Sequence, residues 1–164
     1  MVNTASPSQA LYQLLNEQQP QQVLSCSRSD IPALAAYCQA HDCEFVHLDP
    51  ADDGIDPKRY DLAVVADCLE HLDKARGTAL LARLRNLHSH RIWVVVDETA
   101  GWQLTDFIAL GFQRLQAFSD ESQAGEKTRC YCSYGYDINT YNHTRTWNNP
   151  RFWANPENFG KYWW

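Results

Sequence analysis

Three side chains suited to chemistry follow one short apolar run of the sequence. Residues 62–66 are uninterrupted in their hydrophobicity, and Asp67, Glu70 and His71 come directly after them. A continuous apolar run is typical of a strand covered on both faces in a parallel sheet. One helical turn brings residues three and four positions apart to one face. Because ligands of open α/β sheets bind beyond the carboxyl ends of the strands, we expect Asp67, Glu70 and His71 near the chemistry of a bound ligand.

Polar residues also end three other predicted strands, namely Ser25, Cys26 and Ser27; Asp49; and Asp97, Glu98 and Thr99. The loop after the first strand offers hydroxyl groups, backbone N–H groups and the guanidinium of Arg28 at the start of a helix, which together would suit an anion. In the other interpretation, the serines cap the helix and Arg28 is solvated. Both interpretations stay open, and the expected partner is a small molecule or an anionic ligand.

The strands that position these residues are predicted from apolar runs and from alternation. They lie at residues 22–25, 44–48, 60–66, 91–96, 112–118 and 128–136. The polar stretch 119–127 is predicted to connect the last two strands as a hairpin.

Four helices are predicted between or before these strands. Ser6 and Pro7 indicate the start of the first. Asp30 is predicted to cap the second helix, whose buried residues would be Ile31, Leu34, Ala35 and Cys38. Asp73 is predicted to cap the third helix, whose buried residues would be Leu80, Leu81, Leu84 and Leu87. The fourth would carry Leu104, Phe107 and Ile108 and end at Gly111.

This order of elements predicts an α/β domain with a Rossmann-like, mostly parallel sheet, right-handed crossovers and an antiparallel C-terminal hairpin. The 164 residues, 45% of them apolar, suffice for one domain with a core. We expect that domain to span residues 1–140. Residues 141–164 would form an irregular aromatic tail packed on it.

Residues 60–72, YDLAVVADCLEHL, resemble the fourth strand and following loop of class I S-adenosylmethionine-dependent methyltransferases. Gly111 and Phe112 also resemble that family, in which a Gly-Phe pair commonly opens the strand before the final hairpin. The resemblance covers residues 21–136. It implies an abbreviated methyltransferase fold, because residues 49–60 leave no room for the family's usual extra helix and strand. The segment 152–158, FWANPEN, is in addition similar to the ending of a small bacterial family.

The resemblance implies roles for the residues at the strand ends. Asp49 sits where the family places an acid that accepts hydrogen bonds from the cofactor's ribose, although an Asp-Pro turn gives the same pattern, and Asp49 could instead correspond to the end of the family's third strand. The implied cofactor-binding residues are Ser25, Cys26, Ser27, Arg28, Asp49 and Asp67. The implied catalytic residues are Asp67, Glu70 and His71.

A divalent metal is a further possibility that the resemblance raises. Several members of the family carry an acid-x-x-Glu-His motif at this point, with a distant histidine, to hold a metal that would polarise a substrate hydroxyl. Here the ligands would be Asp67, Glu70 and His71, completed by one histidine among His88, His90 and His143. Many relatives carry Glu-His without a metal, and we expect none here.

The loop after the first strand departs from the family pattern. Methyltransferases of this class have a glycine-rich loop there because the cofactor lies against its backbone, whereas residues 23–30 of this chain, VLSCSRSD, contain no glycine. A non-glycine residue forced to positive φ costs about 1 to 2 kcal/mol, and each Cβ takes space from the ligand. We therefore expect weak S-adenosylmethionine binding or none, and a non-catalytic or weakly active binding or regulatory module. The alternative is an active methyltransferase acting on a small-molecule or RNA hydroxyl, with or without a metal.

Composition limits the partners and the compartment. The formal charge of −6 argues against an extended phosphate-binding surface, so nucleic acid is not an expected partner. The sequence has neither a signal-peptide pattern nor a run long enough to span a membrane. The six cysteines form no CxxC pair, and we expect reduced thiols in a cytoplasmic protein.

Aromatic residues are concentrated at the C-terminal end, where 11 of the 20 lie in residues 131–164. Pro150, Pro156 and Gly160 exclude one long helix there. The aromatic side chains would either pack onto the domain or form a stacking surface for bases, with Arg145, Arg151 and Lys161 nearby. The second possibility is the basis of a further alternative, a nucleic-acid accessory protein.

Overall fold

The computed structural model describes residues 6–51, 54, 58–120, 128–140, 151, 155, 157, 160 and 161. Its strands are β1 (Gln22–Cys26), β2 (Glu44–Leu48), β3 (Tyr60–Val65), β4 (Ser89–Asp97), β5 (Gln113–Asp120) and β6 (Arg129–Asp137). Its helices are α1 (Pro7–Gln18), α2 (Pro32–His41), α3 (Lys74–Arg83) and α4 (Leu104–Ala109). The predicted elements are thereby confirmed, with boundaries shifted by one or two residues. No described helix is long and apolar enough to cross a membrane.

The strands form one six-stranded sheet in the order β2-β1-β3-β4-β6-β5. The first four are parallel, whereas β6 runs antiparallel to both β4 and β5. The predicted mostly parallel sheet with an antiparallel C-terminal hairpin is therefore confirmed. Strand β2 lies at the edge, and the described residues between it and β3 form no helix or strand, in agreement with the predicted loss of one α/β unit.

Helices cover both faces of the sheet, which explains the continuous apolar strands. On one face, α1 and α2 bury Leu11, Leu15, Leu34 and Tyr37 against β1, β3 and β4. On the other, Leu81 and Phe107, from α3 and α4, pack with Leu24, Val65, Val94 and Tyr134 of the sheet. Residues Ala63, Val64 and Val65 have no exposed surface, as expected for the centre of the sheet.

Local sequence signals fix several helix ends. Ser6 caps α1 in a capping box with Gln9, and Asp73 caps α3 by accepting a hydrogen bond from the Arg76 amide. After α4, Gly111 has a φ of 86°, a conformation that only glycine adopts readily, so the chain turns there into β5.

Three predictions about helices were wrong. Ala35 was predicted to be buried on α2, but it is exposed because the buried stripe of that helix consists of Leu34, Tyr37 and Cys38. Asp30 does not cap α2, because the helix starts at Pro32 and its N-cap is Ile31, which makes no side-chain capping bond. Leu87 is 61% exposed rather than buried in the leucine stripe. A π turn over Leu84–His88 follows α3, and its wider turn rotates Leu87 away from the core while Leu84 stays buried.

Candidate functional site

The carboxyl ends of β1, β3 and β4 meet at one edge of the sheet, where β6 also begins because it runs antiparallel. A cleft of about 580 Å³ opens at this edge. Its lining combines carboxylates, an imidazole, a guanidinium, hydroxyl groups and an aromatic ring, contributed by Asp67, Glu70, His71, Val95, Asp97, Thr99, Thr128, Arg129 and Tyr131. The three residues predicted to lie near a ligand, Asp67, Glu70 and His71, are thus brought together at an open cleft.

The end of β1 is buried and closed to a ligand. Ser25, Cys26 and Ser27 have no exposed surface. The Ser27 hydroxyl donates to the carbonyl oxygen of Ser29 at 2.6 Å, and the two serine hydroxyls lie 3.4 Å apart. Burial raises the pKa of the Cys26 thiol to about 12, so this sulfur stays protonated at neutral pH. Three of the predicted cofactor-binding residues therefore do not line the cleft.

Three hydrogen bonds join the loop after β1 to the loop after β3, and a fourth, between His71 and Asp67, lies within the second loop. The Arg28 amide donates to the carbonyl oxygen of Asp67 at 3.1 Å, and the Ser29 hydroxyl donates to Asp67 Oδ2 at 2.9 Å. The His71 ring lies between the two loops, with Nε2 2.7 Å from Asp67 Oδ1 and Nδ1 3.2 Å from Arg28 Nη1. We call these four residues, Arg28, Ser29, Asp67 and His71, the loop clamp.

The hydrogen bonds of the loop clamp define one protonation state. A guanidinium only donates, so Nδ1 of His71 must accept from Arg28 and the ring proton must be on Nε2, which donates to Asp67. Partial burial by itself raises the pKa of Asp67. The hydrogen bonds from His71 and Ser29, together with the charge of Arg28, outweigh that effect and lower the pKa below its usual value. The clamp is therefore built around an Asp67 carboxylate that accepts from Ser29 and His71.

Asp67 has a φ of 47°, in the left-handed region that few non-glycine residues adopt. Holding it there costs of order 1 kcal/mol, and such strain is commonly found at functional sites. Here the conformation turns the chain out of β3 and lets Asp67 accept hydrogen bonds both from the loop after β1 and from His71 of its own loop.

Glu70 and Cys68 lie on the short turn that follows. The Glu70 Oε1 atom accepts a hydrogen bond from the Asp97 amide at 2.9 Å, whereas the buried Oε2 atom has no partner. Cys68 is buried, and burial raises its pKa, an effect strengthened by the nearby charges of Glu70, Asp67 and Asp49. The turn thus holds a buried carboxylate oxygen without a hydrogen-bond partner among the described residues, and a buried thiol that stays protonated.

Asp49 lies apart from the cleft, at the end of the edge strand β2. Its Oδ1 atom accepts a hydrogen bond from the Ala51 amide at 2.8 Å. The Asp-Pro turn that the sequence indicated is thus present, and the ribose role of Asp49 stays a prediction.

The described histidines considered as a further metal ligand lie far from Asp67, Glu70 and His71. His88 precedes β4 and His90 is its second residue, whereas Asp97 ends that strand beside the cleft. At about 3.3 Å per residue, β4 separates the two ends by more than 20 Å. His143 and the tail aromatics Trp147, Trp153, Trp163 and Trp164 lie outside the described residues. Within the described part of the chain, no group of three or more metal-ligating side chains is assembled.

Sequence reasoning did not include Thr128, Arg129 and Tyr131 among the site residues. They start β6, and only the antiparallel order of the hairpin brings them to the carboxyl ends of β3 and β4. The sequence signal that could have indicated them is the polar start of the last predicted strand.

Solved structures with a similar fold are methyltransferases. The N-methyltransferase NodS from Bradyrhizobium japonicum WM9 matches 79% of this chain and 94% of its own at 14% identity, with a TM-score of 0.51. The methyltransferase domain of bacterial CtHen1-C matches 79% and 96% at 10% identity, with a TM-score of 0.54. Magnesium protoporphyrin IX methyltransferase (ChlM) from Synechocystis PCC 6803, solved with bound S-adenosylmethionine, matches 79% and 78% at 13% identity, with a TM-score of 0.53.

At these identities the likeness shows the fold alone, which is that of class I methyltransferases. A search of curated proteins found no match. One family model, described as a family of unknown function (DUF6231), matches residues 5–164. The chain therefore belongs to the DUF6231 family.

Proposed function

We propose that this protein is a ligand-binding or regulatory module on a methyltransferase fold, with little or no methyl transfer from S-adenosylmethionine. The observation that carries the proposal is the loop clamp. It occupies the place where methyltransferases of this class keep an open, glycine-rich loop against the cofactor. The proposal therefore rests on a closed loop as well as on the missing glycines.

Two backbone amides of the loop after β1 are already used. The Ser27 amide donates to the carbonyl oxygen of Leu48 at 3.3 Å, and the Arg28 amide donates to Asp67. A cofactor carboxylate would have to displace the second of these bonds and open the rest of the clamp. At about 0.5 to 1 kcal/mol for each of the three bonds between the loops, opening costs roughly 1.5 to 3 kcal/mol. That cost lowers affinity by a factor of about 10 to 160.

The cleft beyond the clamp is the proposed ligand site. A cavity of about 580 Å³ is of the size that holds a small molecule. Its lining includes the carboxylates of Asp97 and Glu70 and the aromatic ring of Tyr131. A small molecule with hydrogen-bond donors fits this lining. An anion bound at Arg28 would instead have to replace its contact with His71.

Calorimetric titration of the full-length protein tests the proposal. S-adenosylmethionine and S-adenosylhomocysteine should give no binding heat at protein concentrations that detect dissociation constants up to about 1 mM. Dissociation constants in the micromolar range would overturn the proposal. The substitution Arg28→Gln removes the cation of the clamp, and Arg76→Gln, in the first turn of α3, is the matched control.

The second candidate is an active methyltransferase, and one observation favours it: Asp67, Glu70 and His71 all line the open cleft. Methyl transfer from a sulfonium needs alignment above all, which these side chains could give to an acceptor hydroxyl. Incubation with methyl-labelled S-adenosylmethionine and pools of small metabolites or RNA, with and without Mg²⁺, tests it. Label transfer that is lost on Glu70→Gln would support this candidate, and absence of transfer from every pool would exclude it for those acceptors.

A further inference from the structure

Two cysteines meet where α2 ends. The helix closes at His41, and Asp42 follows in the left-handed region with a φ of 52°. The Cys43 amide then donates to the carbonyl oxygen of Cys38, five residues back, at 3.1 Å. This is the long hydrogen bond of the Schellman motif, in which the side chains near the two bonded positions frequently pack against each other. Here both bonded positions carry a thiol, and we call Cys38 and Cys43 the α2 pair.

The thiols of the α2 pair interact with each other. Cys38 belongs to the apolar cluster under α1 and α2, and Cys43 packs against that cluster. Both are free thiols, and each is the hydrogen-bond partner of the other. Burial raises the pKa of both. The hydrogen bond opposes this effect at Cys38 and adds to it at Cys43, whose pKa rises to about 12. The pair is therefore a protonated dithiol at neutral pH.

The backbone holds the α2 pair at a spacing that suits a disulfide. A disulfide needs Cα atoms about 4.4 to 6.8 Å apart. Hydrogen-bonded residue pairs of antiparallel strands, with Cα atoms about 5.5 Å apart, show that directly bonded backbones meet this requirement. Both sides of the pair are anchored, because His41 stacks on Tyr37 at 4.3 Å in the last turn of α2 and the Glu44 amide donates to the carbonyl oxygen of Gln21 at 2.8 Å. A bridge between the two sulfur atoms therefore needs little movement of the chain.

We propose that the α2 pair is a modification site, at which a low-molecular-weight disulfide converts the two thiols to an intramolecular disulfide. The thiolate of Cys43, the more exposed of the two, attacks one sulfur of the small disulfide, which gives a mixed disulfide and releases one small thiol. The Cys38 thiolate then attacks Cys43 Sγ and expels the second small thiol. The protein loses two protons and two electrons, and the small disulfide gains them as two thiols.

A second pair of cysteines on β6 provides an internal control. Cys130 and Cys132 lie two positions apart on one face of that strand. The strand rise separates their side chains by about 6.6 Å, whereas the Cβ atoms of a disulfide lie about 3.5 to 4.5 Å apart. We call these two residues the strand pair. It is closer in sequence than the α2 pair, but the native sheet should not allow it to bridge.

Equilibration of the full-length protein with mixtures of reduced and oxidised glutathione at pH 8 tests the proposal. Trypsin releases the α2 pair within residues 29–58 and the strand pair within residues 130–145, each peptide without another cysteine. After the free thiols are blocked, mass spectrometry gives the fraction of each peptide that has lost two hydrogen atoms. Because little thiolate is present, the exchange is slow and is followed until the fractions are constant. The same measurement in urea gives the reference for the unfolded chain.

The native fold should favour the disulfide of the α2 pair. Its equilibrium constant should be at least about tenfold larger in the native protein than in urea, because a disulfide that fits the fold stabilises it by the same factor. The Tm of the oxidised protein should be about 3 to 6 °C higher than that of the reduced protein. The strand pair should show no loss of two hydrogen atoms in the native protein.

Two variants provide the matched comparison. Cys43→Ser removes one thiol of the α2 pair, so the increase in Tm on oxidation should disappear. Cys130→Ser removes one thiol of the strand pair and should leave that increase unchanged.

Three results would overturn the proposal. One is an equilibrium constant of the α2 pair that is no larger in the native protein than in urea. Another is oxidation of the strand pair to the same extent as the α2 pair in the native protein. The last is a disulfide between two chains, seen by non-reducing electrophoresis, in place of the bridge within residues 29–58.

Discussion

The loop clamp predicts a specific dependence of stability on Asp67 and on pH. The substitution Asp67→Asn preserves the side-chain shape, and asparagine also tolerates a positive φ. It removes the charged carboxylate that accepts hydrogen bonds from Ser29 and His71. Charge-assisted bonds contribute about 1.5 to 3 kcal/mol when shielded from water. The Asp67 side chain is 48% exposed, so we discount the two bonds to a total of about 1 kcal/mol.

This loss should appear at neutral pH and disappear in acid. The folded-state pKa of Asp67 lies below its ordinary value of 3.8. The stabilisation is therefore fully present above that ordinary value and is lost as pH falls through the folded pKa. At pH 7 the variant should unfold with a free energy about 1 kcal/mol smaller, or a Tm about 2 to 4 °C lower. Below the folded pKa, both proteins carry a neutral side chain and the difference should vanish.

Urea unfolding of the wild type and the variant at pH values from 7 to 3 measures this difference. Asp30→Asn is the matched control, because Asp30 is exposed in the neighbouring loop and makes no hydrogen bond with a described residue. It should change stability by less than about 0.5 kcal/mol at every pH. Equal stability of wild type and Asp67→Asn at pH 7, or a difference that stays constant down to pH 3, would refute the reasoning about the clamp.

Further predictions concern the core. Gly77→Ala should lower the free energy of unfolding in urea by about 1 kcal/mol or more despite the better helix propensity of alanine, because the new Cβ would lie 2.5 Å from the Trp102 ring. Gly54→Ala is the control, because it adds a Cβ in open space and should be neutral. Equal effects of the two substitutions would contradict this packing. Leu84→Ala should lower the free energy of unfolding by about 2 to 5 kcal/mol, and Leu87→Ala should lower it by less than about 0.5 kcal/mol. Similar losses in the two variants would instead place both leucines in the core. Cys26 and Cys68 should resist alkylation by iodoacetamide at pH 8 until the protein unfolds, because burial raises the pKa of both thiols. Mass spectrometry measures the alkylation. Rapid alkylation of either cysteine in the folded protein would show that the sheet edge at the ends of β1 and β3 opens.

The fold could be predicted from the sequence because its strands are buried on both faces. Residues 62–65 have almost no exposed surface, and this is the environment that a continuous apolar run indicates. The errors came from local geometry that composition does not encode. The π turn after α3 changed the position of Leu87, and Pro32 moved the start of α2 away from Asp30.

The candidate site could be predicted only in part. Asp67, Glu70 and His71 are close in sequence, so one turn was enough to place them together at the cleft. The contact between Arg28 and His71 joins residues 43 positions apart and depends on the φ of Asp67, which no sequence pattern announced. Thr128, Arg129 and Tyr131 reach the cleft through the antiparallel hairpin, so their role follows from topology rather than from a motif.

The most direct test of the central claim is an NMR titration of the full-length protein with S-adenosylhomocysteine, followed at the amide of Arg28. This amide donates to Asp67 when the clamp is closed, and a cofactor on the loop after β1 would have to displace it. We predict that the Arg28 resonance keeps its position up to about 1 mM ligand. A saturable shift of that resonance at micromolar ligand would show that the loop accepts the cofactor and would contradict the account.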